Sequence, residues 1–405
     1  MAGARFFTRE LLQDPYPHYE RLRRETPVYL DRESGELVLT RYQDVVGALK
    51  DPRLSSRRVA DRGIPVPDIF LALMRPVSGM LGRQMLFSDP PDHTRLRSLV
   101  ARAFTPRMVQ RMRERIEQIA CELLDAKDAA PVVDLVHDYA VWLPLLVIAE
   151  MLGVPTKDRA RFKVWSDDLA LFIGGSTRPL HVVLARAGRG VFHLQRYFRA
   201  LIRARRRAAP QDDLLGALLA VEEQGDMLTE DELLANAILL LAAGHETTTN
   251  LIGNGMYALL RHPDQLTLLR REPALMGAAV TELLRYDSPV QWTGRVALEE
   301  LTIGDVRVPK GQTLAIGVGA ANRDPAQFPD PDRLDIRRAD NSHLAFSHGI
   351  HYCLGAALAR LEGEIAISTL LTRYPELRLL DETPQWQENF TLRGMKCLRV
   401  AATRR

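Results

Sequence analysis

The sequence predicts a mainly helical protein with small β-sheets near both ends. Three observations carry that reading. Apolar residues recur at helical spacing from about residue 92 to 220. A single helix-forming stretch runs unbroken from Thr229 to His262. Alternating segments with Gly and Pro turns are confined to 27–40, 301–318 and the C-terminal tail.

Taken in order, "PVYLDRESGELVLT" (27–40) alternates around Ser34-Gly35 and predicts a β-hairpin. Residues 58–87 carry Gly63, Pro65, Pro67, Pro76, Gly79 and Gly82, and they predict a long functional loop. "SDPPDHTRLR" predicts a helix start with Ser88 or Asp89 as cap, which sets His93 and Arg97 on one face. The helical pattern then breaks at "IGGSTRP" (173–179). Thr229 and Glu232 form a capping box for the long helix and Pro263 ends it, after about 33 residues or roughly 50 Å. No internal repeat or low-complexity linker interrupts the chain, so one domain over residues 1–405 is expected.

Composition narrows the function. The chain has 405 residues, 46% of them hydrophobic, enough for a sizeable core. A formal net charge of +3 is too mild for nucleic-acid binding. Three cysteines make no disulfide framework and suit a reducing compartment. No apolar run reaches the length of a membrane span or signal peptide, so a soluble, cytoplasmic protein without a membrane anchor is expected.

Chemistry concentrates in a few places. "AFSHGIHYCLGAALAR" (345–360) frames Cys353 between Gly349 and Gly355 and runs into a helix. A zinc ligand with His343, His348 and His351, a nucleophile, a haem ligand or a plain buried thiol would each place a cysteine there. The middle of the long helix reads "LLLAAGHETTTN" (239–250). Gly244 and a run of threonines are poor helix formers, and Glu246 is a carboxylate in an apolar element. Ala243 and Thr247 lie one turn apart, as do Gly244 and Thr248, which makes a small notch beside an acid and a hydroxyl. Local inconsistency of this kind marks functional sites, although a kinked core helix would show it too. "TELLR" spaces Glu282 and Arg285 for an ion pair, and Arg295 stands just before a strand.

Together these motifs resemble the cytochrome P-450 superfamily, in particular its soluble bacterial members, and the resemblance spans nearly the whole chain. The cysteine signature F-x-x-G-x-x-x-C-x-G stands complete from Phe346 to Gly355. The acid–alcohol signature stands at Ala243-Gly244-His245-Glu246-Thr247-Thr248, and the E-x-x-R pair is Glu282 and Arg285. Arg333 in "PDRL" would complete a structural triad with that pair, with Leu334 where the family more often has an aromatic.

The resemblance implies a haem sandwiched between the long helix and the cysteine loop. The haem would be haem b, iron protoporphyrin IX, with Cys353 as its axial thiolate. Phe346, Gly355, Ala243 and Gly244 would border it. His93, Arg97, Arg295 and His351 would neutralise its two propionates. Thr247 would donate a hydrogen bond to dioxygen, and Glu246 would connect that hydroxyl to solvent protons. The activity implied is insertion of one oxygen atom from O₂ into a hydrophobic small molecule, by hydroxylation or epoxidation, for instance in secondary metabolism. Dealkylation and C–C coupling stay open. Met85, Leu239, Ala243, Val290, Trp292 and Thr391 are expected wall positions of the substrate pocket. The loop at 58–87, the break at 171–190, "SPVQWT" and "NFTLRG" (389–394) would complete it.

No nicotinamide or flavin fingerprint is present. Electrons are therefore expected from a separate partner, which the resemblance implies to be a ferredoxin with its ferredoxin reductase, and the protein is expected to be a monomer. Arg102, Arg107 and Arg111 are candidate docking cations, whereas "RYFRALIRARRRAAP" (196–210) reads as the basic end of a helix. A peroxide-driven enzyme and a non-catalytic haem sensor or carrier are the rival readings, and neither needs Glu246 and Thr247.

Overall fold

The predicted hairpin is the start of a sheet. In the computed structural model, which describes residues 8–57, 68–127, 131–175, 178–223 and 228–403, Val28–Leu30 pairs antiparallel with Leu37–Leu39. Leu37–Leu39 then pairs in parallel with Thr313–Gly317, which pairs antiparallel with Trp292–Ala297. Leu54–Ser55 forms the other edge. Successive side chains point to opposite faces. Val38, Trp292 and Ala315 therefore bury themselves against Tyr19 and Leu22. Leu37, Leu39, Leu314 and Ile316 bury themselves against Val45, Leu49 and Val318. Leu301–Ile303 and Val306–Val308 make a second hairpin about Gly304. Three short antiparallel strands, Val132–Asp134, Arg399–Thr403 and Glu376–Leu379, form a separate sheet. Val132–Asp134 was not foreseen in a region that reads as helix, because three residues are too few to show a period of two.

By its internal contacts the chain falls into two compact units. Unit 1 comprises residues 1–54, 111–144 and 246–405, and unit 2 comprises 55–110 and 145–245. The sheets belong to unit 1 apart from the edge residue Ser55. Among the described residues, no helix is long and apolar enough to cross a membrane.

Unit 2 is helical. The expected loop at 58–87 is corrected over its second half: Asp68–Leu81 is a helix that contains Pro76. Val77, Met80 and Leu81 bury one face of it at i, i+3, i+4 spacing. Burial of that face outweighs the proline and glycines that read as loop. Residues 58–67 lie outside the described ones. The helix Asp92–Ala103 forms as expected, but neither Ser88 nor Asp89 caps it, since its side-chain cap is absent and Pro91 stands at that position. The Asp89 carboxylate instead accepts from the Ser55 hydroxyl and from the Ser56 amide at 2.8 Å. Helices Arg159–Gly174 and Leu180–Arg206 flank the predicted break and pack together. Asp168, fully buried, is clamped there by Arg186 and Arg189.

The long helix spans Glu230–Arg261, 32 residues, and the capping box is real. The Glu232 amide donates to the Thr229 hydroxyl at 3.3 Å, and the Thr229 amide donates to the Glu232 carboxylate at 2.9 Å. Pro263 opens the following helix.

In unit 1 the helix Ala356–Arg373 buries a carboxyl that the sequence did not flag. Glu362 is 0% exposed. The Thr248 hydroxyl is close enough to interact with it, but neither carboxyl oxygen makes a hydrogen bond of full geometry among the described residues. Burial pushes its pKa up to about 8, which the nearby Thr248 hydroxyl only partly offsets. The native chain therefore holds Glu362 protonated at neutral pH while the unfolded chain ionises it. This group favours folding fully below about pH 4.5, and the contribution is lost as pH rises towards 8. Glu362→Gln removes that dependence. In urea unfolding, the Gln variant should gain on the parent by about 2–4 kcal/mol between pH 5 and pH 8.5. Parallel pH profiles would show that the carboxyl does not titrate in this way.

Candidate active site

Cys353 sits half-buried in a loop built from unusual backbone. Gly349 has φ +71°, and a Cβ there would stand 3.0 Å from the Leu49 carbonyl oxygen, so both conformation and space demand glycine. Ser347 has φ +63°, a left-handed conformation that a serine rarely adopts and that composition could not reveal. The loop closes on itself: the Cys353 amide donates to the Phe346 carbonyl at 2.8 Å, and the Tyr352 amide to that of Gly349 at 3.0 Å. Gly355 is unlike Gly349, since its φ of −84° is open to any residue. A Cβ there would come 4.0 Å from the Cys353 sulfur, so its smallness leaves the sulfur uncovered and is not needed for the turn. The helix Ala356–Arg373 begins three residues beyond the thiol and turns its positive dipole end towards this loop.

Behind the loop lies a buried ion pair. Arg285 donates two parallel hydrogen bonds to Glu282, each 2.8 Å, and both side chains are excluded from solvent. The third cation is Arg338, not Arg333. Arg338 Nε donates to Glu282 at 3.2 Å, and Asn341 and the Asp335 amide add bonds of 2.9 and 3.0 Å. The Arg333 side chain is exposed, and only its backbone carbonyl joins in, accepting from Arg285 at 3.2 Å. Arg285 also donates to the carbonyls of Asn322 and Pro331. Every nitrogen of the Arg285 guanidinium donates to an acceptor, as a charge in a dry interior requires.

The middle of the long helix sorts its polar residues by direction. Ala243 is exposed and Thr247, one turn on, is half-buried, although the helix around them is largely buried. Gly244 has another purpose than the expected notch: a Cβ there would lie 3.1 Å from Ile148, so the missing side chain admits a close approach by helix Trp142–Met151. Thr249 donates to the Ala140 carbonyl at 3.0 Å, and Thr248 faces Glu362. Among the described residues, neither makes a bond back to its own helix. His245 is held between the Leu241 carbonyl and the Ser166 hydroxyl. Glu246 is 7% exposed.

The candidate cations divide between the units. His93, buried, and Arg97, half-buried, share a face of Asp92–Ala103 in unit 2. Arg295, 6% exposed, lies on the strand Trp292–Ala297 in unit 1 and donates to the Gly294 carbonyl at 2.8 Å. His351 is half-buried in the single turn Gly349–His351. Of the expected pocket walls, Val290 and Thr391 come together, because Val290 bridges Leu392 and the Gln291 amide bonds the Thr391 carbonyl. In unit 2 the Met85 amide is bonded by Asn236, one turn before Leu239 on the long helix. Trp292 is corrected to a core residue: its indole donates to the Tyr19 hydroxyl at 3.0 Å and packs edge-on to that ring.

The donor set suits an iron porphyrin better than zinc. Among the described residues, His343, His348 and His351 do not gather with Cys353 at metal-binding distances. Burial and the nearby Arg360 and Arg285 push the pKa of His343 down to about 4, and its Nδ1 is occupied by the Ala345 amide. A single thiolate in a sharp loop at a helix start is the donor an axial position needs, and buried or half-buried cations suit two carboxylates.

Two arginines five residues apart give a direct test of the ion-pair assignment. Arg338→Met should lower unfolding free energy by about 1.5–3 kcal/mol, because a charged buried acceptor loses a donor. Arg333→Met should stay within about 0.5 kcal/mol of the parent. Equal losses in chemical denaturation would return Arg333 to the network.

A family model for cytochrome P450 matches residues 183–395. The chain is 45% identical over 395 residues to cytochrome P450 107B1 of Saccharopolyspora erythraea, covering 96% of this chain and 95% of that protein. It is 44% identical over 397 residues to the cytochrome P450 monooxygenase PikC of Streptomyces venezuelae, covering 96% and 91%. The crystal structure of P450BioI in complex with an acyl carrier protein ligated to hexadec-9Z-enoic acid matches with a TM-score of 0.90 and 39% identity, over 97% of this chain and 99% of that one. A cysteine loop of this geometry, an acid and alcohol in the midst of a long helix, and relatives that match end to end have one explanation: the chain belongs to the cytochrome P450 family of haem-thiolate monooxygenases.

Proposed function

We propose that this chain, working as one monooxygenase domain, inserts an oxygen atom from O₂ into a hydrophobic small molecule. The observation that carries the reading is a gap in the burial of the continuous long helix: Ala243 exposed and Thr247 half-buried, beside the buried Glu246. Haem b, held by Cys353 with His93, Arg97, Arg295 and His351 on its propionates, would supply electron storage and oxygen activation. The remaining work falls to side chains. Cys353 must stay ionised, and the loop amides with the start of Ala356–Arg373 favour that. Thr247 Oγ1 donates a proton towards the oxygen side of the site, and Glu246 recharges it from solvent. Ala243, with only a methyl group, leaves space beside that hydroxyl. Apolar wall residues Met85, Leu239 and Val290 exclude water and orient the substrate.

The reaction written as a balance is RH + O₂ + two electrons + two protons giving ROH + H₂O. The electrons would come from a ferredoxin and its reductase, with the exposed Arg102, Arg107 and Arg111 as docking cations and the chain acting as a monomer. A fatty-acyl, terpenoid, steroid or macrolide skeleton would each satisfy the apolar walls. A peroxide-driven enzyme or a haem sensor has no use for a recharged hydroxyl, and Glu246 with Thr247 speaks against both.

Reduced with dithionite and exposed to carbon monoxide, the parent and Thr247→Ala should both show the strongly red-shifted Soret band of thiolate ligation. With substrate and electrons, Thr247→Ala should release more hydrogen peroxide and less product per electron, and Glu246→Gln should slow turnover roughly 10- to 100-fold. Unchanged coupling of product to electrons in Thr247→Ala would remove the threonine from proton delivery.

A further inference from the structure

Phe346 stands seven residues before Cys353 and Arg360 seven after it, and the fold lays one on the other. The Arg360 guanidinium carbon lies 4.7 Å from the centroid of the Phe346 ring. Phe346 is 7% exposed, and its carbonyl is the acceptor of the Cys353 amide. Two more rings border the same phenyl group, His343 at 5.7 Å and Tyr352 at 6.4 Å between centroids. Arg360 is half-buried and has no ion-pair partner among the described residues, so the ring face is its principal contact. A half-buried guanidinium over an aromatic face is a favourable contact, and among the described residues no carboxylate pairs with it.

We propose that Arg360 is a positioning residue for the thiolate: it pins the Phe346 ring, holds the Phe346–Cys353 backbone bridge in register and keeps an uncompensated positive charge beside the cysteine loop. The inference rests on the haem-thiolate reading and adds a residue outside the ten-residue cysteine signature to it. Two effects follow. With the bridge slack, the sulfur is more easily protonated or displaced. With the positive charge gone, the extra electron of the ferrous state is less well stabilised, so the midpoint potential moves negative. His343 offers a separate reporter, because Arg360 is the nearest cause, after burial, of its lowered basicity.

The test uses the haem-loaded enzyme and the variants Arg360→Lys, Arg360→Gln and Arg360→Met. Three quantities are read: the share of carbon-monoxide complex with an unshifted Soret band, the ferric–ferrous midpoint potential, and the His343 titration by NMR in the diamagnetic reduced carbonyl form. The Gln and Met variants should at least roughly double the unshifted share. They should also lower the potential and raise the His343 pKa, while Lys retains most of the potential and loses part of the band stability. Should the Met variant not fold, Phe346→Leu alone and with Arg360→Gln completes the test. The double variant should then lose little more band stability than either single one. Parent-like potentials and band shares in Gln and Met, or full additivity with Phe346→Leu, would overturn the proposal. A parent that shows no red-shifted band at all would instead overturn the haem-thiolate reading beneath it.

Discussion

Much of unit 1 hangs on one buried carboxylate. Glu282 accepts from Arg285 twice, from Arg338, from Asn341 and from the Asp335 amide. A carboxylate in a dry interior costs several kcal/mol unless nearly all its lone pairs are satisfied. The irregular segment from Asn322 to Asn341 must therefore wrap around the helix Met276–Tyr286 to deliver those donors. That path fixes where Leu344 begins the cysteine loop, and the Leu344 amide is itself bonded to Asn322. An electrostatic requirement outside the cysteine loop thus helps to set where that loop starts. A purely apolar core would tolerate small slips of this segment; a carboxylate that needs five donors does not.

The long helix shows a different economy. Three consecutive threonines would each weaken an isolated helix. Here the three side chains leave the axis about 100° apart: Thr249 donates to the Ala140 carbonyl, Thr248 faces Glu362, and Thr247 is half-buried. Gly244 lets Ile148 close in and leaves its neighbour Ala243 as the exposed small residue. The poor helix formers are placed by their neighbours.

The legible parts of the sequence were those with a period or a fixed spacing. The hairpin about Gly35, the long helix with its capping box, the Glu282–Arg285 pair and the cysteine loop all follow from positions close in the chain. What escaped depends on tertiary geometry. Arg333 and Arg338 are both arginines in an irregular segment, and only the fold decides which one turns inward. Asp68–Leu81 reads as loop because Pro76 and the glycines outweigh its apolar spacing until Val77, Met80 and Leu81 find a core. Trp292 is apolar and near the site in sequence, but strand alternation turns it to Tyr19. Glu362 lies in a helix with both polar and apolar residues, and nothing local says that its face is the inner one.

The parallel pairing of Leu37–Leu39 with Thr313–Gly317 has a consequence for biosynthesis. The N-terminal hairpin emerges from the ribosome long before the strand that completes its sheet. At about 5–20 residues per second, some 275 residues of intervening chain take roughly 14–55 seconds to appear. During that interval one edge of Leu37–Leu39 has no strand to bond, and an unpaired edge is a template for other chains. The helices of residues 55–245, rich in local contacts, can form while the edge waits. Closing the sheet, and with it the frame that carries Arg295, is a late event that waits for Thr313–Gly317 to emerge.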